Sequence, residues 1–243
     1  MTASLDIRGL VKRFGGLTAT DNVSISVSPG ESVGIVGPNG AGKTTIFSQI
    51  MGEIQQTAGS IQVDGQDIGT LPTAARIRAG VSRTYQVPRP FAEMSVLENI
   101  RVGLMPDSIW SMIRHGPDTA RERELANAVG FTPDQFRQTP SELSMGDLRK
   151  LEMARTIATD PRLMLLDEVF AGLTVAEIAM ISDLVQGMRQ QGMTFLIVSH
   201  DLKALEPLVD RVIALHQGRV IADGDYSAVM QDRTVRAAYL GEP

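Results

Sequence analysis

An α/β fold, a mainly parallel sheet covered by helices, is predicted for this 243-residue chain by three observations. From Ser144 onward helical and extended patterns alternate, as they do where crossover helices join parallel strands. A glycine-rich stretch from Gly37 to Thr44 separates a short apolar strand from a helical pattern. Apolar residues make up 43% of the chain at a mean hydropathy of +0.00, enough for a core, with no run near the roughly 20 residues that cross a bilayer.

The elements follow in order. Leu5 to Val11 and Val23 to Val27 alternate apolar with polar residues, as half-buried strands do. Pro29-Gly30 marks a turn before a buried strand at Ser32 to Val36. A helix is expected over Thr44 to Met51, and a strand over Ser60 to Val63 ends at the turn Asp64-Gly65. From Val87 to Glu142 prolines recur and the patterns between them are helical. Ser95 to Val102 carries Ser95 and Glu98 three residues apart, the spacing of a capping box. Asp118 to Val129 is a second helix, and Pro106 to Pro117 shows no clear pattern. A helix from Ser144 to Ala158 places Leu148, Leu151, Ala154 and Ala158 on one face. A strand at Leu163 to Leu166, a helix at Val175 to Gln191, a strand at Thr194 to Val198 and strands near Val212 and Val220 complete the chain. The expected organisation is one domain over 1–243: an α/β core from 1–86 and 159–243, with an inserted helical lobe over 87–158.

The net charge of −5 and pI near 5.3 speak against a nucleic-acid partner, which favours a basic face. Disulfides and thiolate metal sites are excluded by the absence of cysteine. Met1 to Asp6 lacks a basic start followed by an apolar core, so no signal peptide is expected. Any link to a membrane is expected to run through a partner.

Gly37-Pro38-Asn39-Gly40-Ala41-Gly42-Lys43-Thr44 fits the pattern G-x-x-x-x-G-K-S/T between a strand and a helix. Its glycines let backbone N–H groups curl around an anion, and the helix end adds a positive dipole. In such a loop Lys43 reaches the β- and γ-phosphates and the Thr44 hydroxyl holds Mg2+. Leu163-Met164-Leu165-Leu166-Asp167-Glu168 is an apolar strand ending in two carboxylates. Beside a phosphate loop, Asp167 is placed to hold Mg2+ and Glu168 to orient or deprotonate an attacking water. None of the four asparagines (22, 39, 99, 127) is followed by lysine, so the guanine-reading Asn-Lys-x-Asp of GTPases is missing.

Leu143-Ser144-Met145-Gly146-Asp147, at a helix start, resembles the Leu-Ser-Gly-Gly-Gln signature of the ATP-binding subunits of ABC transporters. Further markers of that family follow in its order. Phe14, in Lys12-Arg13-Phe14-Gly15-Gly16, resembles the aromatic that stacks on adenine, although a core role for it is open. Gln86, closing an expected strand in Arg83-Thr84-Tyr85-Gln86, resembles the glutamine of the Q-loop. Ala171-Gly172-Leu173-Thr174 resembles the D-loop, and His200 the switch histidine. The resemblance covers essentially the whole chain. It implies a P-loop NTPase with a RecA-like, mainly parallel sheet, an N-terminal antiparallel β subdomain and an inserted helical subdomain.

It also implies the site. ATP would be held by Phe14, Gly37, Pro38, Asn39, Gly40, Ala41, Gly42, Lys43, Thr44 and Thr45. Thr44, Gln86 and Asp167 would hold Mg2+, and Glu168, His200, Gln86 and Lys43 would serve catalysis. Ser144, Met145, Gly146 and Asp147 would meet the γ-phosphate of an ATP held by a second ABC ATPase subunit, identical or similar, paired head to tail. A helix N-terminus capped by Ser144 suits an anion, although Ser144-x-x-Asp147 is also a plain capping pattern.

Three residues depart from the family pattern: Asp147 stands for glutamine, Val169 for proline and Thr174 for aspartate. A finer resemblance is to the ATPase subunits of branched-chain amino acid importers. It rests on Phe14-Gly15-Gly16-Leu17-Thr18-Ala19, Ser82-Arg83-Thr84-Tyr85-Gln86, Met94-Ser95-Val96-Leu97-Glu98-Asn99 and the ending Ala238-Tyr239-Leu240-Gly241-Glu242. Transmembrane permease subunits, an indirectly associated solute-binding protein and a place on the cytoplasmic face of the inner membrane are implied. Close relatives of that group handle urea and short amides, and no motif touches the solute. Trp110 either packs inside the helical lobe or joins Ile109, Met112 and Ile113 in an apolar face toward the permease. Two alternatives remain: a nucleotide-responsive subunit that barely hydrolyses ATP, and a soluble ABC protein outside transport.

Overall fold

A computed structural model describes residues 4–105 and 119–240 of the chain. The segment from Pro106 to Pro117, with Trp110 and its apolar neighbours, lies outside the described residues, as do Asp118, Gly241 and Glu242.

Two sheets form. β1 (Leu5–Phe14) and β2 (Leu17–Val27) make an antiparallel hairpin closed at Gly15-Gly16, longer than the alternation alone predicts. With β4 (Ala58–Val63) and β5 (Gln66–Asp67) they give a four-stranded antiparallel sheet of order β2-β1-β4-β5. The second sheet has the order β10-β9-β3-β8-β7-β6. Its members are β3 (Ser32–Val36), β6 (Val81–Arg83), β7 (Leu163–Asp167), β8 (Thr194–Val198), β9 (Arg211–His216) and β10 (Arg219–Gly224). All its pairings are parallel except that of β10 with β9.

Residues buried on both faces explain why these strands read as apolar runs rather than alternations. Along β7, Leu163 and Leu165 enter one cluster while Met164 and Leu166 enter the other. Phe195 and Ile197 are divided from Leu196 and Val198 in the same way along β8. One face carries α1 (Lys43–Met51) and the inner side of the antiparallel sheet. The other carries α3 (Val96–Leu104), α4 (Thr119–Ala128), α5 (Met145–Ala158) and α6 (Val175–Gln190). The cluster runs without a break from Ile100 and Leu125 through Leu151 to Leu166, so α3, α4 and α5 share their core with the sheet. Leu151, Ala154 and Ala158 are buried as the helical period predicts, and Leu148 is half-buried.

Several elements carry too little pattern to be read beforehand. α2 (Thr73–Arg78) has six residues, and α7 (Leu202–Leu205), α8 (Tyr226–Gln231) and α9 (Arg233–Leu240) have four to eight. β6 ends at Arg83, three residues before Gln86, which sits in an exposed bend. The expected strand through Gln86 is therefore corrected: Thr84 N–H still bonds Leu165 O at 2.9 Å, but the backbone then turns away to follow α5.

That turn is made by a buried ion pair on α5. Arg149 and Glu152 lie 3.1 Å apart, their side chains 3% and 8% exposed. Glu152 accepts Tyr85 N–H at 2.7 Å, and Arg149 donates to Tyr85 O at 2.6 Å and to Gln86 O. Burial lifts the Glu152 carboxyl above the usual range, against the opposing Tyr85 N–H and Arg149. Removing the cation alone would strand that carboxylate. Arg149→Met is expected to destabilise the chain by about 3–5 kcal/mol, and Arg149→Met with Glu152→Leu by clearly less. Urea midpoints of the two variants check this; equal losses would remove the pair from the account.

Ser95 caps α3 in a full capping box with Glu98. The Ser95 hydroxyl and N–H hold the Glu98 carboxyl below its ordinary range. Its contribution is therefore present above the unfolded value near pH ~4.3 and lost as pH falls through the folded one. Ser95→Ala is expected to cost about 1 kcal/mol at pH 7. Denaturant titrations at pH 7 and below pH 4 should show the difference shrinking in acid.

Candidate active site

Strands running in parallel deliver their C-terminal ends to one edge of the sheet, where ligands of such folds bind. Here Ile35 pairs with Val198, Asp167 with Val198 and Arg83 with Leu165. The turns after β3, β6, β7 and β8 therefore meet. A cleft of about 710 Å³ lies there. Phe14, the loop from Asn39 to Thr45, Gln86, Glu168 and His200 all face it. The fold thus brings together residues spread over most of the chain.

The loop is shaped by its glycines at one decisive point. Gly42, with φ of 104°, is the N-cap of α1, and a Cβ there would come within 2.6 Å of the Ala19 carbonyl. A residue without a side chain leaves the first N–H groups of α1 without a local side-chain acceptor. Anions are favoured at such an end. Lys43 donates to Gly37 O at 2.6 Å and Pro38 O at 3.1 Å, so its ammonium lies folded on the loop itself. Burial lowers its pKa, with Glu168 and then Asp167 opposing. Thr44 is exposed and Thr45 half-buried on the cleft side. Phe14 is 46% exposed with Lys12 4.9 Å from its ring, which sets aside a role in the core.

Asp167 stands one step behind the cleft wall. It is 2% exposed and its Oδ2 accepts Arg83 Nη2 at 2.6 Å. Its Oδ1 is buried without a hydrogen-bond partner. Arg83, a residue the motif reading passed over, also donates to Ser48 and Glu53 and lies 5.0 Å from the Tyr85 ring. The Tyr85 hydroxyl donates to Glu53 at 2.7 Å, and burial first, then Glu53, pushes its pKa up to about 12.

Glu168 has a φ of 52°, left-handed for a residue with a full side chain. Such backbone strain concentrates where function fixes a side chain. Its Oε2 accepts His200 N–H at 3.0 Å, and Oε1 lies 3.4 Å from His200 Nε2 and is otherwise unpaired. Val169, where proline is usual, is 1% exposed in the core.

No group of three His, Cys, Asp or Glu among the described residues can hold a metal alone. The free Asp167 oxygen, the Thr44 hydroxyl and the Gln86 amide are hard oxygen donors. They fit Mg2+, which is commonly held by one or two carboxylates together with substrate phosphates.

The signature residues lie outside this cleft. Ser144 caps α5, its Oγ accepting Asp147 N–H at 3.1 Å. Asp147 turns back along its own helix: Ser144 Oγ donates to its Oδ2 at 3.0 Å and Lys150 Nζ to its Oδ1 at 2.8 Å. Burial raises its pKa, but the bonds from Lys150 and Ser144 outweigh that and leave it lowered. Met145 is 51% exposed. Thr174 forms a capping box with Glu177 at the start of α6, and the Glu177 carboxylate lies against Gly146.

Comparison with known proteins agrees with this geometry. The family model described as ABC transporter matches residues 20–171, and that described as branched-chain amino acid ATP-binding cassette transporter matches residues 219–243. The LivG high-affinity branched-chain amino acid transport ATP-binding protein of Escherichia coli K12 is 36% identical over 98% of each chain. BraF of Pseudomonas aeruginosa, named for the same transport, is 34% identical over 98% of each. The crystal structure of MJ1267 in its ADP conformation, an ATP-binding cassette of an ABC transporter, superposes with a TM-score of 0.87 at 29% identity over 100% of both chains. The antiparallel sheet beside a larger parallel one, the loop at the head of α1 and these matches lead to one conclusion: the chain belongs to the ABC transporter family, as one of its ATP-binding cassettes.

Proposed function

We propose that this cassette hydrolyses ATP in a head-to-tail pair to drive uptake of branched-chain amino acids or a related small amide or amino acid. The observation that carries the reading is the cleft in which loop amides, Lys43, Glu168, His200 and Gln86 converge on one volume. The names of LivG and BraF, and the family match of the C-terminal segment, support the substrate class.

Adenine stacks on the exposed face of Phe14. The phosphates enter the loop from Gly37 to Thr44, and Lys43 exchanges two backbone carbonyls for the β- and γ-phosphate oxygens. Thr44, Gln86 and Asp167 would hold Mg2+, whose charge would offset that of the β- and γ-phosphates. Glu168 orients the attacking water and accepts its proton, and His200, beside it, faces the γ-phosphate. Ser144 and Gly146 of a second subunit complete the site from the opposite side. Residues 87–158 form the lobe that meets transmembrane permease subunits, which carry the cassette at the cytoplasmic face of the membrane. No helix among the described residues is long and apolar enough to cross a membrane.

Lys43→Ala removes a charge-assisted hydrogen bond and is expected to weaken ATP binding about 10- to 100-fold. Direct titration reads this, and an unchanged affinity would contradict the loop's assignment. Glu168→Gln keeps the shape but not the base. Hydrolysis should fall about 10²- to 10⁴-fold while an ATP-dependent dimer accumulates on gel filtration. Wild-type turnover in that variant would take Glu168 out of the reaction. Substrate is read from vesicles containing the cassette with its permease: ATP-driven uptake of labelled leucine supports the reading, and uptake of urea alone moves it to another small solute.

A further inference from the structure

The end of the chain reaches the phosphate loop. α9 is anchored by Val235, which is 1% exposed, and Tyr239 follows four residues later on the same face of the helix. Tyr239 is 39% exposed, yet its hydroxyl accepts the N–H of Gly37 at 2.8 Å. Gly37 is the first residue of the loop, one past the end of β3. Its φ of 151° and the close approach of the Leu215 carbonyl, which a Cβ would strike, hold that position to glycine. Nothing in the backbone ladder of β3 takes this N–H, so the tyrosine supplies its acceptor.

Two side chains therefore grip Gly37 from opposite ends. Tyr239 holds the peptide plane that enters it, through the N–H, and Lys43 holds the plane that leaves it, through the carbonyl. Under the proposed function Lys43 gives up that carbonyl for phosphate. Tyr239 then remains as the side-chain hold on the loop's first residue. We propose that Tyr239 is a positioning residue of the nucleotide site, keeping the first peptide of the phosphate loop in place so that nucleotide meets a loop already ordered. This explains why a segment more than 200 positions away in sequence, with no chemistry of its own, ends beside the loop. The inference rests on the ATPase reading and adds to it a residue from α9.

Tyr239→Phe keeps the ring and removes only the acceptor. Titration of the full-length chain with Mg·ATP and with Mg·ADP tests it. Both affinities should weaken by the same factor, about 3- to 10-fold, the value of one hydrogen bond, because the loop wraps the diphosphate the two share. The KM for ATP should rise accordingly while kcat at saturation stays within about twofold. Wild-type affinities in Tyr239→Phe would overturn the proposal, and so would a lowered thermal midpoint with both affinities unchanged, which marks a merely structural tyrosine. Lys43→Ala in the same titrations separates the two readings. Loss of binding there beside wild-type binding by Tyr239→Phe sinks this proposal alone, whereas a wild-type chain that binds neither nucleotide sinks both.

Discussion

The ion pair of Arg149 with Glu152 ties two separate pieces of chain to one helix. It grips the backbone of Tyr85 through both its N–H and its carbonyl, takes the carbonyl of Gln86, and reaches Glu168 O at 3.4 Å. Taking two charges out of water is costly, and a buried pair adds little net stability unless every remaining group is satisfied. Here backbone groups of the turn after β6 supply most of that satisfaction. The pair's value is therefore geometric. The turn bearing Gln86, the strand end bearing Glu168 and helix α5 cannot shift independently. α5 is also capped by Ser144, which in the proposed pair would serve a partner's nucleotide. In that pair the helix that would close the neighbour's site also holds the glutamine and glutamate of its own, so a displacement of α5 would be felt at both.

A second buried cation settles the orientation of Asp167 in advance. Arg83 binds one carboxylate oxygen and leaves the other without a partner. It cannot follow an arriving ligand, because Ser48, Glu53 and the faces of Phe47 and Tyr85 hold it from other sides. In the proposed site that oxygen is already oriented toward where Mg2+ would be held, with no rotation of the carboxylate required. Glu168 is fixed by different means: a left-handed backbone, and His200 N–H on its carboxylate. The positions of both carboxylates are set by neighbours that the proposed reaction does not consume, which is what preorganisation requires.

How much of this was legible depended on whether a residue's role is local. β3 and β8 match their predicted spans because a short apolar run bounded by turn residues is a local signal, and the capping box of Ser95 with Glu98 is local too. The phosphate loop, Asp167 and Glu168 follow from spacing and from the strands that precede them. Arg83 and Arg149 do not, because their partners lie 84 and 64 positions away in sequence. A weak signal existed: Arg149 and Glu152, three apart, fall within a helix otherwise read for its apolar face. The strand expected to end at Gln86 failed for the same reason, since the force that turns the chain away after Arg83 comes from α5. Tyr239 was visible only as part of a family-like ending, with nothing local to say that its hydroxyl lies on Gly37.

Two of the three departures from the family pattern, Asp147 and Thr174, resolve into local capping, and that changes what pairing must do. Asp147 adds a negative charge where, in the proposed pair, a phosphate would approach, yet Lys150 and Ser144 occupy its two oxygens within the same turn. Most of its field is thereby spent inside its own helix. Thr174 caps α6, and that cap brings the Glu177 carboxylate against Gly146. In the proposed pair the partner's γ-phosphate would approach this helix end with the Glu177 carboxylate already beside Gly146. The gain at this helix end would then be reduced by repulsion between two like charges. Closure of the two subunits must accordingly draw on the rest of the interface, where Met145 and Val175, at 51% and 85% exposed, flank these same caps with apolar surface.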